Sequence, residues 1–243
     1  MKPGDEIDNL LADAAKPDVS SDAARHAIAR AQATILADLQ PVHPLPAPWL
    51  LALAVLLVFA FAAAGSASLL GLHGLQSLDG IQRAIDYPAL LLAAWLAADA
   101  CVNAMRPASG RRLGKLAVVA PVTAFSVLFF LLFPDRSTGS FVLEGIPCLR
   151  AGMGVAIPTG LAVAWILRRG FVLDWGEAGL AGGSLAGLAG LAMLELHCAN
   201  LKAPHRMVWH VAVIAVSAAL GFAFGRLAER REAYRANGSK LEV

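Results

Sequence analysis

The stretch WLLALAVLLVFAFAAAGSASLLGL, residues 49–72, runs for 24 residues without a charged side chain. An α-helix rises 1.5 Å per residue and the hydrocarbon core of a bilayer is about 30 Å thick, so about 20 apolar residues can cross it. The stretch therefore predicts a transmembrane helix. The whole chain agrees, because 58% of its residues are hydrophobic, 16% are charged and the mean hydropathy is +0.62. These values indicate an integral membrane protein.

Five further apolar runs are long enough to cross the bilayer, and short connectors join them. The predicted fold is therefore all-α, a polytopic membrane protein with six transmembrane helices and a cytoplasmic amphipathic N-terminal segment. The predicted spans are residues 49–72, 87–105, 115–133, 148–167, 177–198 and 207–227. We expect residues 1–46 to form the partner-binding segment, 47–230 the transmembrane domain and 231–243 a short cytoplasmic tail.

The distribution of Lys and Arg predicts the orientation. Of the 20 basic residues, 15 fall in the two terminal segments and in the second and fourth connectors. The other five are Arg83, Arg136, Arg150, Lys202 and Arg206. Cytoplasmic loops of membrane proteins carry the excess of positive charge. Both termini are therefore predicted to be cytoplasmic, and the first, third and fifth connectors to face outward.

The fifth span carries a ridge of glycines four residues apart, Gly179, Gly183 and Gly187, which stack on one helix face. Gly221 and Gly225 repeat the spacing in the sixth span. Such a ridge lets a neighbouring backbone approach closely. We expect close packing within the bundle in preference to a dimer interface, and the oligomeric state remains open.

Motifs of common catalytic sites are absent: the sequence contains no GxxxxGK[ST], no HExxH and no GxSxG. We therefore expect a protein that is not an enzyme. A small transporter or channel is the main alternative, and it needs ionisable residues at the middle of the membrane. The acids expected to be buried are Asp99 and Glu195, and no polar relay connects them. A membrane redox enzyme is a weaker alternative, since no cofactor-binding pattern accompanies the cysteines.

The N-terminal segment contains two stretches with apolar residues at helical spacing, residues 5–15 and 20–39. Their candidate contact residues are Ile7, Leu10, Leu11, Ile28, Ile35 and Leu39. The stripe could lie on lipid, although its polar face is acidic, or the segment could be a solvated tail without a role. We favour a third interpretation, in which the stripe docks into an apolar groove of a soluble protein.

Several short motifs occur in a characteristic order from the end of the N-terminal segment onward. They are PVHPLPAPW (41–49), PCLRAGMGVAIP (147–158), RRG (168–170), HC (197–198), VWH (208–210) and GFAFGRL (221–227). With these motifs the chain resembles the NrsF proteins, six-span bacterial membrane proteins named as negative regulators of sigma F. The resemblance covers residues 49–230.

The resemblance implies a membrane-bound anti-sigma factor of the bacterial inner membrane. Its N-terminal cytoplasmic segment would hold an extracytoplasmic-function sigma factor inactive until a signal releases it. The expected partners are this sigma factor and the lipid bilayer, with no direct contact to nucleic acid. No cofactor is expected beyond a transient metal ion.

Cys148, at the predicted start of the fourth span, and Cys198, at the predicted end of the fifth, would lie at the same outer surface. Two such thiols can form a disulfide if their Cα atoms come within about 7 Å. Thiolate and imidazole together can also bind zinc or copper. We therefore predict that Cys148 and Cys198 sense an oxidant or a metal ion.

Three histidines of ELHCANLKAPHRMVWH, residues 195–210, accompany these thiols. His197 and His210 are the candidate additional metal ligands, with an interfacial or capping role as the alternative. His205, in the middle of the connector, is expected to be solvated. Cys101, near the inner end of the second span, is expected to be a small buried hydrophobic residue.

Overall fold

The computed structural model describes residues 22–38, 46–106, 113–170 and 172–238. The chain divides into two compact units, Met1–Pro44 and Leu45–Val243. In the first unit the described residues form helix α1, Asp22–Asp38, where the side chain of Ile28 is 46% exposed. The other predicted contact residues, Ile7, Leu10, Leu11 and Leu39, lie outside the described residues, as does the side chain of Ile35.

The second unit is a bundle of helices, and its described residues contain no strand. In chain order it consists of α2 (Pro48–Leu70), α3 (His73–Ser77), α4 (Gly80–Ala104), α5 (Gly114–Leu132), α6 (Phe141–Leu167), α7 (Trp175–His197), α8 (Ala203–His205), a π-turn (Arg206–His210) and α9 (Val211–Gly238). Six of these segments are long and apolar enough to cross a membrane, the last of them Ala203–Arg231. The prediction of an all-α protein with six membrane-length helices is confirmed.

The helices run up and down, so that their ends form two layers. Hydrogen bonds at one end join Gln82 at the start of α4 to the Leu132 carbonyl at the end of α5, and His197 to the Gly71 carbonyl just after α2. We call this layer the cysteine end. At the opposite end the backbone N–H of Gly176 donates to Glu229 of α9.

Helix α7 is the centre of the bundle. It contacts all five of the other membrane-length helices. Of its most apolar 18 residues 83% are buried, against 22–44% in the other helices. Its glycines allow this packing. A Cβ added to Gly183 would lie 2.8 Å from the Ala218 Cα atom, and one added to Gly187 would lie 2.5 Å from the Ile214 Cα atom, both on α9. The predicted close packing of the glycine ridge within the bundle is confirmed.

The outer surface of the bundle is strongly apolar. Large side chains such as Leu69, Phe61 and Leu143 are 89%, 75% and 79% exposed. A soluble protein rarely leaves so much apolar surface in contact with water. This surface suits lipid, as expected for a multi-pass membrane protein.

Two helices begin about two turns earlier than predicted, α4 at Gly80 and α6 at Phe141. The hydropathy pattern missed these turns because they contain polar residues. At α4 the turn is held by Asp79, whose carboxylate accepts a hydrogen bond of 2.8 Å from the Gln82 backbone. As a consequence Cys148 lies two turns inside α6, whereas the sequence pattern predicted that it begins the span.

Candidate functional site

Four side chains with metal-ligating atoms meet at the cysteine end. Cys148 comes from α6, Cys198 follows α7 directly, His205 ends α8 and His210 ends the π-turn. One ligand atom from each residue lies within 4.8 Å of all the others. The two Sγ atoms are 3.7 Å apart, although 50 residues separate them in the chain. Cys198 Sγ is also 3.7 Å from His205 Nε2.

The two imidazoles reach the same site because of the π-turn. Residues five apart in a regular α-helix point about 140° away from each other at 3.6 residues per turn. A turn closed by i→i+5 bonds instead brings such residues onto the same side. His205 and His210 are five residues apart, and their ring centroids lie 5.3 Å from each other.

Behind the thiols lies a fully buried ionic group. The Glu195 carboxylate accepts a hydrogen bond from Arg206 through Oε2, and its Oε1 lies 2.6 Å from His210 Nδ1. All three side chains are fully shielded from solvent. A buried charge is costly unless it is paired and hydrogen-bonded, and here the acid neutralises the guanidinium while it orients the imidazole.

Arg206 also holds the connector that carries Cys198. Its Nε atom donates to the Asn200 carbonyl at 3.0 Å, and its guanidinium carbon lies 4.3 Å from the centre of the Phe133 ring. On the other side Gly74 of α3 packs on the same backbone, where an added Cβ would lie 2.9 Å from the Cys198 carbonyl oxygen. The position of Cys198 is therefore determined by several elements.

The two thiols differ in environment from the third cysteine. Cys148 and Cys198 are free and partly exposed. The hydrogen bond from Cys148 lowers the pKa of the Cys198 thiol, and the neighbouring imidazoles of His205 and His210 act in the same direction, against the effect of burial. Cys101 is completely buried in the apolar core. The prediction for Cys101 is confirmed, and the two partly exposed thiols both lie at the cysteine end.

Two expectations about the connector are corrected, and for His197 the structure favours the capping alternative. His205 is only 2% exposed, whereas we expected it to be solvated. His197 does not join the thiols: its Nδ1 atom lies 2.9 Å from the Gly71 carbonyl oxygen, where it caps the end of α2. Arg206, counted as an outer loop charge, is buried in the bundle. His205 and Arg206 are buried because the connector folds back into the bundle as α8 and the π-turn.

Asp86 was missed by the sequence analysis because α4 was predicted to begin one residue after it. It is fully buried, and its carboxyl lies beside that of Glu195. Asp99, the other acid expected inside the membrane, is only half-buried and accepts a hydrogen bond of 2.9 Å from Asn103 of its own helix. The capping pair Asp79–Gln82 was the sequence signal that could have extended α4 far enough to include Asp86.

Comparison with known families gives one match. The model of the NrsF family, negative regulator of sigma F, matches residues 35–230, which include the whole site, the first five membrane-length helices and most of the sixth. The chain belongs to the NrsF family. The NrsF description implies a sigma factor as partner and a regulatory role. No curated protein and no solved structure matches the chain.

Proposed function

We propose that this NrsF-family chain is an anti-sigma factor of the bacterial inner membrane. Its N-terminal cytoplasmic segment, residues 1–46, binds an extracytoplasmic-function sigma factor, and Cys148 and Cys198 trigger release when they meet an oxidant or a metal ion. The contact of 3.7 Å between these two thiols, in a family of negative regulators of sigma F, is the observation that carries the proposal.

The charge distribution supports cytoplasmic termini. In the sequence, 15 of the 20 basic residues belong to the two terminal segments and to the second and fourth connectors, and five do not. Arg206 is one of the five, and it is neutralised by Glu195 inside the bundle. The asymmetry that orients the chain is therefore larger than the count suggests, and the cysteine end faces the oxidising side of the membrane.

The signal acts by joining α6 to the end of α7. An oxidant takes two electrons and two protons from the thiols, and the Sγ atoms move from 3.7 Å to the bond length of about 2.05 Å. A metal ion that binds both thiolates also links the two helices. Disulfide formation therefore changes the relative position of α6 and α7 by an amount of ångström size.

Helix α7 carries this movement to the cytoplasmic side. Its 23 residues extend for about 34 Å from the thiols to the opposite end. There Gly179 and Gly176 pack directly on α9, so that the two helices move together. A small effect suffices, because a change of about 1.4 kcal/mol in the hold on the sigma factor alters the bound ratio tenfold.

The apolar stripe of the N-terminal segment is the expected contact with the sigma factor. Ile28 of α1 is 46% exposed, as an anchor residue is before its partner binds. A carboxylate placed in an apolar groove loses solvation at a cost of roughly 1–3 kcal/mol. Ile28→Asp should therefore weaken capture of the sigma factor, and Leu10→Asp should act in the same way.

Sigma-dependent transcription in cells measures this loss. Ile28→Asp should raise transcription without any signal, with the membrane level of the protein checked by immunoblot. Ala33→Asp is the matched control, because Ala33 is exposed on a different face of α1 and should leave repression intact. If Ile28→Asp and Leu10→Asp both repress as well as the parent, the N-terminal segment is not the binding element.

Sensing by Cys148 and Cys198 is tested separately from repression by the N-terminal segment. Cys148→Ser and Cys198→Ser should each abolish release by the signal while basal repression persists, and the double variant should be no worse than either single one. Cys101→Ala should respond normally, since Cys101 lies away from the site. Normal induction in the double variant would contradict sensing by these thiols and leave the anti-sigma assignment standing.

A transporter remains the alternative function. The observation that favours it is the buried ionic group of Glu195, Arg206 and His210, with Asp86 beside it, because ionisable residues inside a membrane often mark a transport path. All four residues lie at the cysteine end, however, whereas a transport path needs ionisable residues at the middle of the membrane. Solute uptake into proteoliposomes that depends on Glu195 would support transport over regulation.

A further inference from the structure

We propose that Cys148, Cys198, His205 and His210 form a tetrahedral binding site for Zn²⁺ in the resting protein. The proposal deepens the sensor and rests on the proposed function for its regulatory meaning, whereas binding of the ion can be measured without a sigma factor. The ligand set differs from the one that the sequence pattern predicted, because His205 takes the place of His197.

The distances between the ligand atoms suit a tetrahedral ion. With Zn–S bonds of about 2.3 Å, two sulfurs of a tetrahedron lie about 3.8 Å apart, and a sulfur and an imidazole nitrogen about 3.6 Å apart. Cys148 Sγ and Cys198 Sγ are 3.7 Å apart, and Cys198 Sγ and His205 Nε2 are also 3.7 Å apart. These two distances already suit zinc, and the other ligand atoms, all within 4.8 Å of one another, need to approach by at most about 1.5 Å.

The buried ionic group orients the fourth ligand, His210, for metal binding. His210 is fully buried, and its Nε2 atom has no hydrogen-bond partner among the described residues. Its Nδ1 atom is engaged by Glu195 at 2.6 Å. A carboxylate on the far nitrogen of a histidine is the usual support of a metal ligand, since it orients the ring and leaves the other nitrogen free to bind.

Charge and donor type select the ion. Two thiolates and two neutral imidazoles around a divalent cation give a net charge of zero, and the pair Glu195–Arg206 adds none. A partly buried site tolerates a neutral complex best. Sulfur and nitrogen donors exclude Mg²⁺ and Ca²⁺, which require oxygen ligands, and a monovalent copper ion would leave an uncompensated negative charge.

The zinc site relates the two signals of the proposed function, because an oxidant removes the resting Zn²⁺ and the metal signal is a different ion that replaces it. Zinc binding releases the two thiol protons to solvent and keeps the sulfurs apart. Hydrogen peroxide can then take two electrons from the two thiolates, which form a disulfide while the peroxide and two protons become two water molecules. Only two imidazoles remain as ligands, so Zn²⁺ leaves the site. Oxidation and metal exchange thus act on the same four atoms.

Metal binding by the purified full-length protein in detergent tests the site. The reduced, metal-free protein should bind one Zn²⁺ per chain in competition with a chromogenic chelator. Co²⁺ in its place should give the thiolate charge-transfer and tetrahedral ligand-field bands. Cys148→Ser and Cys198→Ser should each weaken Zn²⁺ binding beyond the roughly 100-fold that the loss of an outer partner can cost, and so should His205→Ala.

Two controls distinguish the site from unspecific binding. His197→Ala removes the histidine next to Cys198, and Cys101→Ala removes the third thiol; both should bind Zn²⁺ like the parent. His210→Ala also removes a partner of Glu195 and can disturb the fold. Cys148→Ser then decides, because Cys148 is partly exposed and its sulfur contacts only Cys198 among the hydrogen-bonding groups described for it.

The outcomes separate the site from the function. If the parent shows no thiolate band with Co²⁺, or if His205→Ala binds Zn²⁺ as tightly as the parent, the four-ligand site is refuted. Normal signal response of Cys148→Ser in cells, with its zinc binding lost, would refute the sensor function and leave the site intact. If Cys148→Ser loses both zinc binding and the signal response, the zinc site and the sensor function are both supported.

Discussion

Removing the Glu195 carboxylate should destabilise the bundle far more than removing a surface acid. Glu195 pairs with Arg206 and His210, and all three are fully buried, so Glu195→Gln leaves a guanidinium charge without its counter-ion. Breaking a buried pair in this way costs about 3–5 kcal/mol. Glu144 provides the contrast, since it pairs with Lys202 at 3.6 Å where the side chains are 41% and 28% exposed. Glu144→Gln should cost about 0–1 kcal/mol.

The free energy of unfolding in mixed micelles, measured by titration with SDS, compares the variants. A double variant, Glu195→Leu with Arg206→Met, should recover most of the lost stability, because it removes both charges and leaves apolar side chains in their place. This recovery distinguishes an unpaired charge from a general packing defect. The reasoning is refuted if Glu195→Gln is as stable as Glu144→Gln, or if the double variant is less stable than Glu195→Gln alone.

Two further predictions follow from the packing and the orientation of the bundle. Gly183→Ala should cost about 1–3 kcal/mol in the same assay, because its Cβ would lie 2.8 Å from an α9 backbone atom, whereas Gly154→Ala should not destabilise the bundle, because nothing lies within 4 Å of it. Equal stabilities would contradict the close contact of α7 with α9. For orientation, a membrane-impermeant maleimide should label an exposed Ser137→Cys in intact spheroplasts and spare an exposed Arg169→Cys, each in a chain without the native cysteines. The reverse pattern would invert the proposed topology.

The sequence by itself determined the architecture of this protein. Crossing a membrane depends on the length and apolarity of each segment taken alone, so runs such as residues 49–72 could be recognised without their neighbours. The spacing of Gly179, Gly183 and Gly187 also predicted a close helix contact, since residues four apart share a helix face whatever packs against them. The same local information placed Cys148 and Cys198 near one end of the bundle.

The ends of the helices were less predictable. Polar residues near the start of α4 (Gln82, Arg83 and Asp86) and Glu144 near the start of α6 interrupt the apolar pattern, and both helices were therefore predicted to begin later than in the structure. For this reason Asp86 was not recognised as a buried residue of α4, and Cys148 was predicted at the start of its helix although it lies two turns inside. Asp86 lies beside the buried partners of the site, so a small error at a helix boundary left it out of the prediction, whereas Cys148 was predicted as a site residue but at the wrong depth.

Only the tertiary structure decided which groups surround the thiols. His197 ends α7 and His205 lies in the connector that follows, and no local pattern predicts that the first caps α2 while the second faces Cys198. The difference arises from the π-turn and from the ionic contact between Arg206 and Glu195, which pulls the connector into the bundle. A buried charge needs a partner that the chain brings from elsewhere, and such a partner is a property of the folded arrangement.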